Sequence, residues 1–85
     1  MRTLRITVLT QDDCVFCVDA IAILDRLAAE YPLAVETIAF QSAEGEALAI
    51  QGGIYFPPGV LIDGDAVCYG RPSERLLRRE LERRL

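Results

Sequence analysis

Apolar and polar residues alternate with two different periods along the chain, and the periods predict seven elements. Residues 2–10 alternate around Leu4, Ile6 and Val8 and are rich in β-branched side chains, which is typical of a strand. Segments 33–40, 60–62 and 66–69 have a similar composition. Spacings of three and four residues elsewhere predict three helices. The predicted order is therefore β-α-β-α-β-β-α.

The first predicted helix begins at Cys14 and ends near Tyr31, because Pro32 disfavours helix in the residue before it. Asp12 and Asp13 are its candidate N-caps. Apolar spacing predicts a buried face that consists of Cys17, Ile21, Leu24 and Ala28, flanked by Val18, Ala22 and Leu27.

Two shorter helices follow. One covers residues 42–50, is capped by Ser42 and ends before Gly52-Gly53. The other begins at Pro72-Ser73 and ends at Leu85. Its predicted inward side chains are Leu76, Leu77, Leu81 and Leu85.

Asp63-Gly64 separates the last two strands, and Asp-Gly between apolar runs indicates a β-hairpin. The initial β-α-β unit predicts parallel neighbours with a right-handed crossover. We therefore expect an α/β fold with a four-stranded mixed sheet and helices on both faces. Residues 1–85 show no linker or internal repeat and are expected to form a single domain.

Composition narrows the class of protein. The 85 residues are 52% hydrophobic and 26% charged, which is typical of a globular chain. The longest uninterrupted apolar runs are far shorter than the ~20 residues that cross a bilayer, and no export signal is recognisable. We expect a soluble, cytoplasmic protein with no membrane partner.

The net charge of −4 is unevenly distributed. Residues 1–70 are acidic, whereas residues 71–85 are rich in arginine. The acidic body argues against nucleic acid as the main partner. The arginines alternate with glutamates and suit a helix C-terminus, so a solvated face is expected, with an acidic docking partner as the alternative.

Cys14-Val15-Phe16-Cys17 lies where the first strand gives way to the first helix. A helix N-terminus stabilises a thiolate, and a second thiol one turn away can resolve a mixed disulfide. Half of a zinc site and a structural cysteine pair are the alternatives. Zinc usually requires four ligands; the chain has no histidine and only Cys68 as a further thiol. Cys68 is expected to be a packing residue, with a third redox sulfur as the alternative.

The order of elements, the CxxC at the first helix and the segment Phe56-Pro57-Pro58-Gly59 before the hairpin resemble the thioredoxin superfamily in its short, glutaredoxin-like form. The resemblance covers essentially the whole chain. It implies a thioredoxin-like fold, a cis peptide bond before Pro58, and a loop beside the thiols in which Pro57 and Pro58 position an extended substrate.

The chain departs from the glutaredoxin pattern at several positions. Val15-Phe16 replaces Pro-Tyr between the cysteines, and lysine is absent from the sequence. At the start of the last helix, where glutaredoxins bind the γ-glutamyl carboxylate of glutathione, Arg71 could pair with a carboxylate and Ser73 could hydrogen-bond to it. The buried acid that thioredoxins carry in the first strand is replaced by Val8.

The resemblance implies a thiol–disulfide oxidoreductase in which Cys14 is the nucleophile and Cys17 resolves the mixed disulfide. Phe16 is either a docking surface for the partner or a side chain folded over the helix. Expected partners are disulfide-containing proteins, with glutathione or a thioredoxin reductase as electron donor. No bound cofactor is expected, although glutathione could be a co-substrate. The alternative function is a non-catalytic thioredoxin-like module that binds a partner or a metal.

Overall fold

The computed structural model describes residues 2–85 and contains seven elements in the predicted order. They are β1 Leu4–Thr10, α1 Val15–Leu27, β2 Leu33–Ala39, α2 Ala43–Gly52, β3 Gly59–Ile62, β4 Asp65–Tyr69 and α3 Glu74–Arg84. The predicted fold class is confirmed.

The four strands form one mixed sheet in the order β2-β1-β3-β4. β1 is parallel to β2 and antiparallel to β3, and β3 is antiparallel to β4. Leu9 pairs with Gly59, which in turn pairs with Tyr69. The end of β1, the start of β3 and the end of β4 therefore meet at one edge of the sheet, which we call the cysteine edge because α1 begins there.

Helices cover both faces of the sheet, as predicted. Alternate residues of β1 point to opposite faces, so Ile6 and Val8 pack with α1 and α3, whereas Leu9 packs with α2. The larger core cluster consists of Leu4, Ile6, Val8, Leu24, Leu27, Val60, Ile62, Leu77 and Leu81. The smaller one consists of Leu9, Ala49, Ile54 and Leu61.

The first helix differs from its prediction at both ends. Cys14 is the N-cap, not Asp12 or Asp13, because Asp13 adopts a left-handed φ of 54° and Cys14 is the extended residue before the helix. The helix ends at Leu27, and 28–31 continue as a turn whose first bonds run from Ala29 N–H to Arg26 and from Glu30 N–H to Leu27.

The predicted buried faces of α1 and α3 also differ in part from the observed ones. In α1 the buried residues are Cys17, Ala20, Leu24 and Leu27. Ala28 and Val18 are exposed, and Ile21 is half-buried, since the helix ends earlier and is rotated relative to the predicted face. In α3 Leu77 and Leu81 are buried as predicted, but Leu76 is only half-buried, and Leu85 lies beyond the helix and is half exposed.

Polar caps and glycines also mark the ends of other elements, although α2 continues through Gly52 instead of ending before it. The Ser42 hydroxyl accepts a hydrogen bond from Gly45 N–H at 3.0 Å, and α2 closes at Gly53 with a φ of 69°. In the hairpin, Asp63 and Gly64 both have positive φ, at 49° and 88°, as a type I′ turn requires. Within residues 2–85, no helix combines the length and apolar character needed to cross a membrane.

Candidate active site

Cys14 and Cys17 form a disulfide at the start of α1, with their Cα atoms 5.2 Å apart. The Cys14 sulfur accepts a hydrogen bond from the backbone N–H of Cys17 at 3.1 Å, so it fills the position of a capping oxygen. Cys14 is partly exposed, whereas Cys17 is 3% exposed. A substrate can therefore reach the first sulfur but not the second.

The local sequence explains this placement. β1 ends at Thr10, and the exposed residues 11–13 turn the chain into α1. Aspartate tolerates the left-handed conformation that Asp13 adopts better than most residues. The first backbone N–H groups of α1 have no helical acceptor, and their partial positive charge favours a thiolate at Cys14 once the disulfide is reduced.

An open groove of about 650 Å³ runs beside the two cysteines. One end is formed by residues 10–13, including the carboxylates of Asp12 and Asp13. The wall consists of apolar side chains of α1, namely Val15, Val18 and Ile21. Phe16 is 42% exposed and does not line this groove.

The loop before β3 lies at the same cysteine edge, because Gly59 pairs with Leu9 at the end of β1. The peptide bond between Pro57 and Pro58 is cis. Pro58 is fully buried and Pro57 is half-buried. The Pro58 carbonyl accepts a hydrogen bond from Gly70 N–H at 2.8 Å, which ties this loop to the end of β4.

Sequence reasoning missed an aromatic cluster beside this loop, formed by Tyr55, Phe56 and Tyr69. Their exposed fractions are 78%, 54% and 39%. The Tyr69 ring packs edge-on against Phe56 at 5.1 Å and against Tyr55 at 5.7 Å between centroids. The aromatic residues are visible in the sequence, but only the pairing of β3 with β4 brings Tyr69 to the other two.

Arg71 and Ser73 lie apart from the cysteine groove. The Ser73 hydroxyl accepts a hydrogen bond from Leu76 N–H at 3.2 Å and caps α3. Arg71 is exposed and lines a separate pocket of about 260 Å³, together with Asp19 and Arg26. The structure thus brings Pro57 and Pro58 to the cysteine edge and assigns Arg71 and Ser73 to a different pocket and a cap.

Cys68 lies on β4 opposite Val60 and packs against the core between the sheet, α1 and α3. Burial, followed by the nearby negative charge of Glu80, raises the pKa of the Cys68 thiol to about 11. This thiol is therefore protonated at neutral pH. Among residues 2–85 there is no group of three or more His, Cys, Asp or Glu side chains arranged to bind a metal ion.

Several arginines of α3 form ion pairs with glutamates at the protein surface. Arg78 forms two hydrogen bonds with Glu30, at 2.7 and 2.9 Å, and Arg26 pairs with Glu74 at 2.7 Å. These contacts connect α3 to α1 and to the turn after it. Arg84 pairs with Glu80 on α3 itself.

Comparison with known proteins finds similarity to thioredoxins in both sequence and fold. No protein-family model matches the chain. A thioredoxin from Methanocaldococcus jannaschii is 29% identical over 85 residues, which is the full length of both chains. Among solved structures, a mutant thioredoxin from Halobacterium salinarum is similar with a TM-score of 0.71 and 25% identity, over 94% of this chain and 73% of that one.

Thioredoxin 1 from Thermosipho africanus has the same fold, with a TM-score of 0.60 and 18% identity, over 94% of this chain and 97% of that one. Three observations agree with a similarity to thioredoxins. They are the order of the strands, the cysteine pair at the start of α1 and the match over the full chain. The chain is similar to a thioredoxin in sequence over its full length and shares the fold of solved thioredoxins.

Proposed function

We propose that the protein is a thiol–disulfide oxidoreductase that reduces disulfides through Cys14 and Cys17. The observation that carries this proposal is the partly exposed Cys14 at the N-terminus of α1, whose sulfur is within hydrogen-bond distance of Cys17 N–H and is paired with a buried Cys17. The similarity to thioredoxins supports the same chemistry.

The reaction takes place in two exchanges. In the reduced protein, the Cys14 thiolate attacks one sulfur of a substrate disulfide, and the other substrate sulfur leaves as a thiolate that takes up a proton. The Cys17 thiolate then attacks the Cys14 sulfur, which releases the second substrate thiol. Two electrons pass to the substrate, and the protein ends with the Cys14–Cys17 disulfide.

The geometry supports these different roles for the two cysteines. The Cys14 sulfur accepts a hydrogen bond from Cys17 N–H and lies at the positive end of α1, and both interactions stabilise a thiolate at this position. Cys17 is shielded from substrate by its burial, but it is one turn away from Cys14. The buried thiol is therefore suited to attack only the mixed disulfide that has already formed on Cys14.

The cysteine edge also offers a surface for the substrate chain. Pro57 and Pro58 belong to the loop beside the end of β1, and the aromatic cluster extends this surface with apolar area. We assign substrate contacts to this loop and to the partly exposed ring of Phe16. Disulfides held in peptides or proteins are the substrate class that an extended surface of this kind would favour.

The positions of Arg71 and Ser73 bear on the choice of electron donor. Ser73 already caps α3, and Arg71 lies outside the cysteine groove, so the pair does not form a carboxylate site next to the thiols. We therefore favour reduction by a thioredoxin reductase over reduction by glutathione. A faster turnover with glutathione and its reductase than with a thioredoxin reductase would reverse this preference.

Three variants test the proposed chemistry against a peptide disulfide whose reduction is followed by thiol release. Cys14→Ser should abolish reduction, and Cys17→Ser should release one substrate thiol and stop at the mixed disulfide. Cys68→Ser is the matched control because this thiol is half-buried and protonated, and its rate should equal that of the wild type. Full activity in Cys14→Ser would refute the scheme.

A further inference from the structure

The charged side chains that line the cysteine groove are both carboxylates. Between Arg5 and Arg26 the sequence contains four aspartates and no basic residue. Asp12 and Asp13 line the groove itself, next to Cys14. Both carboxylates are exposed, and neither takes part in an ion pair with another described residue.

The rest of the groove is apolar. Val15 and Val18 are 72% and 67% exposed, although a helix would ordinarily bury such side chains or replace them with polar ones. Arg71, the basic residue that the resemblance suggested for substrate binding, lines another pocket. The groove thus combines an apolar wall, a reactive sulfur and two carboxylates that no basic side chain of the groove neutralises.

We propose that this groove selects disulfides whose flanking residues are basic and apolar, and that Asp12 and Asp13 are the residues that determine this specificity. The inference rests on the proposed oxidoreductase function. Opposite charges accelerate the encounter between two partners, and like charges slow it. Glutathione disulfide carries a net negative charge, and so it is disfavoured by the same carboxylates.

The experiment uses two peptides that contain one intramolecular disulfide and differ only in the residues next to it, arginine in one and glutamate in the other. The fully reduced protein, freed of its reductant, reacts with each peptide in a single turnover. The ratio of the two second-order rate constants is the readout. Effects of a variant on the Cys14 thiolate itself cancel in this ratio, because both peptides react with the same sulfur.

We expect the arginine peptide to react about 10-fold faster than the glutamate peptide at low salt. At about 1 M salt, where the Debye length is about 3 Å, the ratio should fall to near one. The double variant Asp12→Asn/Asp13→Asn should lose most of the preference at low salt. Asparagine is chosen because it retains the size of aspartate and tolerates the positive φ of residue 13.

The matched control is Asp65→Asn. Asp65 is also exposed, but it begins β4 at the end of the sheet opposite the cysteine edge. Its replacement removes one negative charge, as each groove substitution does, and leaves the groove unchanged. It should keep the preference. Equal rates with both peptides, or equal loss of preference in Asp65→Asn and in the groove variant, would overturn the inference while the oxidoreductase function stands. Failure to reduce either peptide would overturn the proposed function itself.

Discussion

Gly70 supports the aromatic cluster, and its replacement by alanine tests that part of the site. Gly70 has a φ of 80°, and a Cβ atom at this position would lie 2.8 Å from Cε2 and 3.4 Å from Cζ of Phe56. Alanine therefore has two costs. It must adopt a left-handed conformation, and it must displace a ring that packs on Tyr69.

The two costs can be given magnitudes. The left-handed conformation costs about 1–2 kcal/mol for a residue with a Cβ. The Phe56 ring is more than half exposed and can swing away, so its displacement costs no more than the edge-on aromatic contact, about 0.5–1.5 kcal/mol. Gly70→Ala should destabilise the protein by about 1.5–3.5 kcal/mol in total.

Gly64→Ala separates the two contributions. Gly64 has a similar φ of 88°, but nothing lies within 4 Å of the position of its Cβ. Both variants change the unfolded chain in the same way, so their difference reports the contact with Phe56. In chemical denaturation of the oxidised protein, Gly70→Ala should be less stable than Gly64→Ala by about 0.5–1.5 kcal/mol, or about 2–12 °C in Tm.

A double variant completes the test. In a Phe56→Ala background the ring is absent, so Gly70→Ala should cost no more than Gly64→Ala. Equal stabilities of the two single glycine variants, or an unchanged cost of Gly70→Ala in the Phe56→Ala background, would refute the placement of Phe56 over Gly70.

Four further predictions concern the rest of the molecule. Burial raises the pKa of Cys68 to about 11, so Cys68 in the reduced protein should be alkylated much more slowly than Cys14 at pH 7.5, as peptide mapping by mass spectrometry can measure. Because the folded protein holds this proton more tightly than the unfolded one, stability should fall between pH 9 and about 11, and this fall should be smaller in Cys68→Ala. Leu24→Ala should cost about 2–5 kcal/mol in denaturant titrations, because Leu24 is fully buried between α1 and the sheet; a smaller loss would contradict that packing. Arg78→Ala should cost much less and only at low salt, whereas Arg79→Ala, at a position with no ion pair among the described residues, should cost nothing measurable.

The sequence was sufficient for the order of the elements and for the sheet. Alternation around Leu4, Ile6 and Val8 predicted the first strand, and Asp63-Gly64 predicted the hairpin, because each signal depends on neighbouring residues alone. Helix boundaries were less predictable. The choice of Cys14 over Asp13 as the N-cap depends on the backbone conformation of Asp13, which no local pattern encodes.

The cysteine pair was predictable as a motif, but its surroundings were not. The contact of Tyr69 with Phe56 requires the pairing of β3 with β4 and the Pro58 to Gly70 hydrogen bond. Arg71 directly follows Gly70, which bonds to the Pro58 loop, yet its side chain lines a pocket with Asp19 and Arg26. Long-range register decides which side chains meet at the cysteine edge, and composition carries no information on it.

Capture of the reaction intermediate tests the central claim most directly. The variant Cys17→Ser/Cys68→Ser, reduced and mixed with the peptide disulfide, should gain the mass of one substrate unit in intact-protein mass spectrometry, with the adduct located on Cys14 by peptide mapping. The adduct should disappear on addition of a dithiol. The absence of an adduct under conditions in which the wild-type protein reduces the same peptide would contradict the assignment of Cys14 as the attacking thiol.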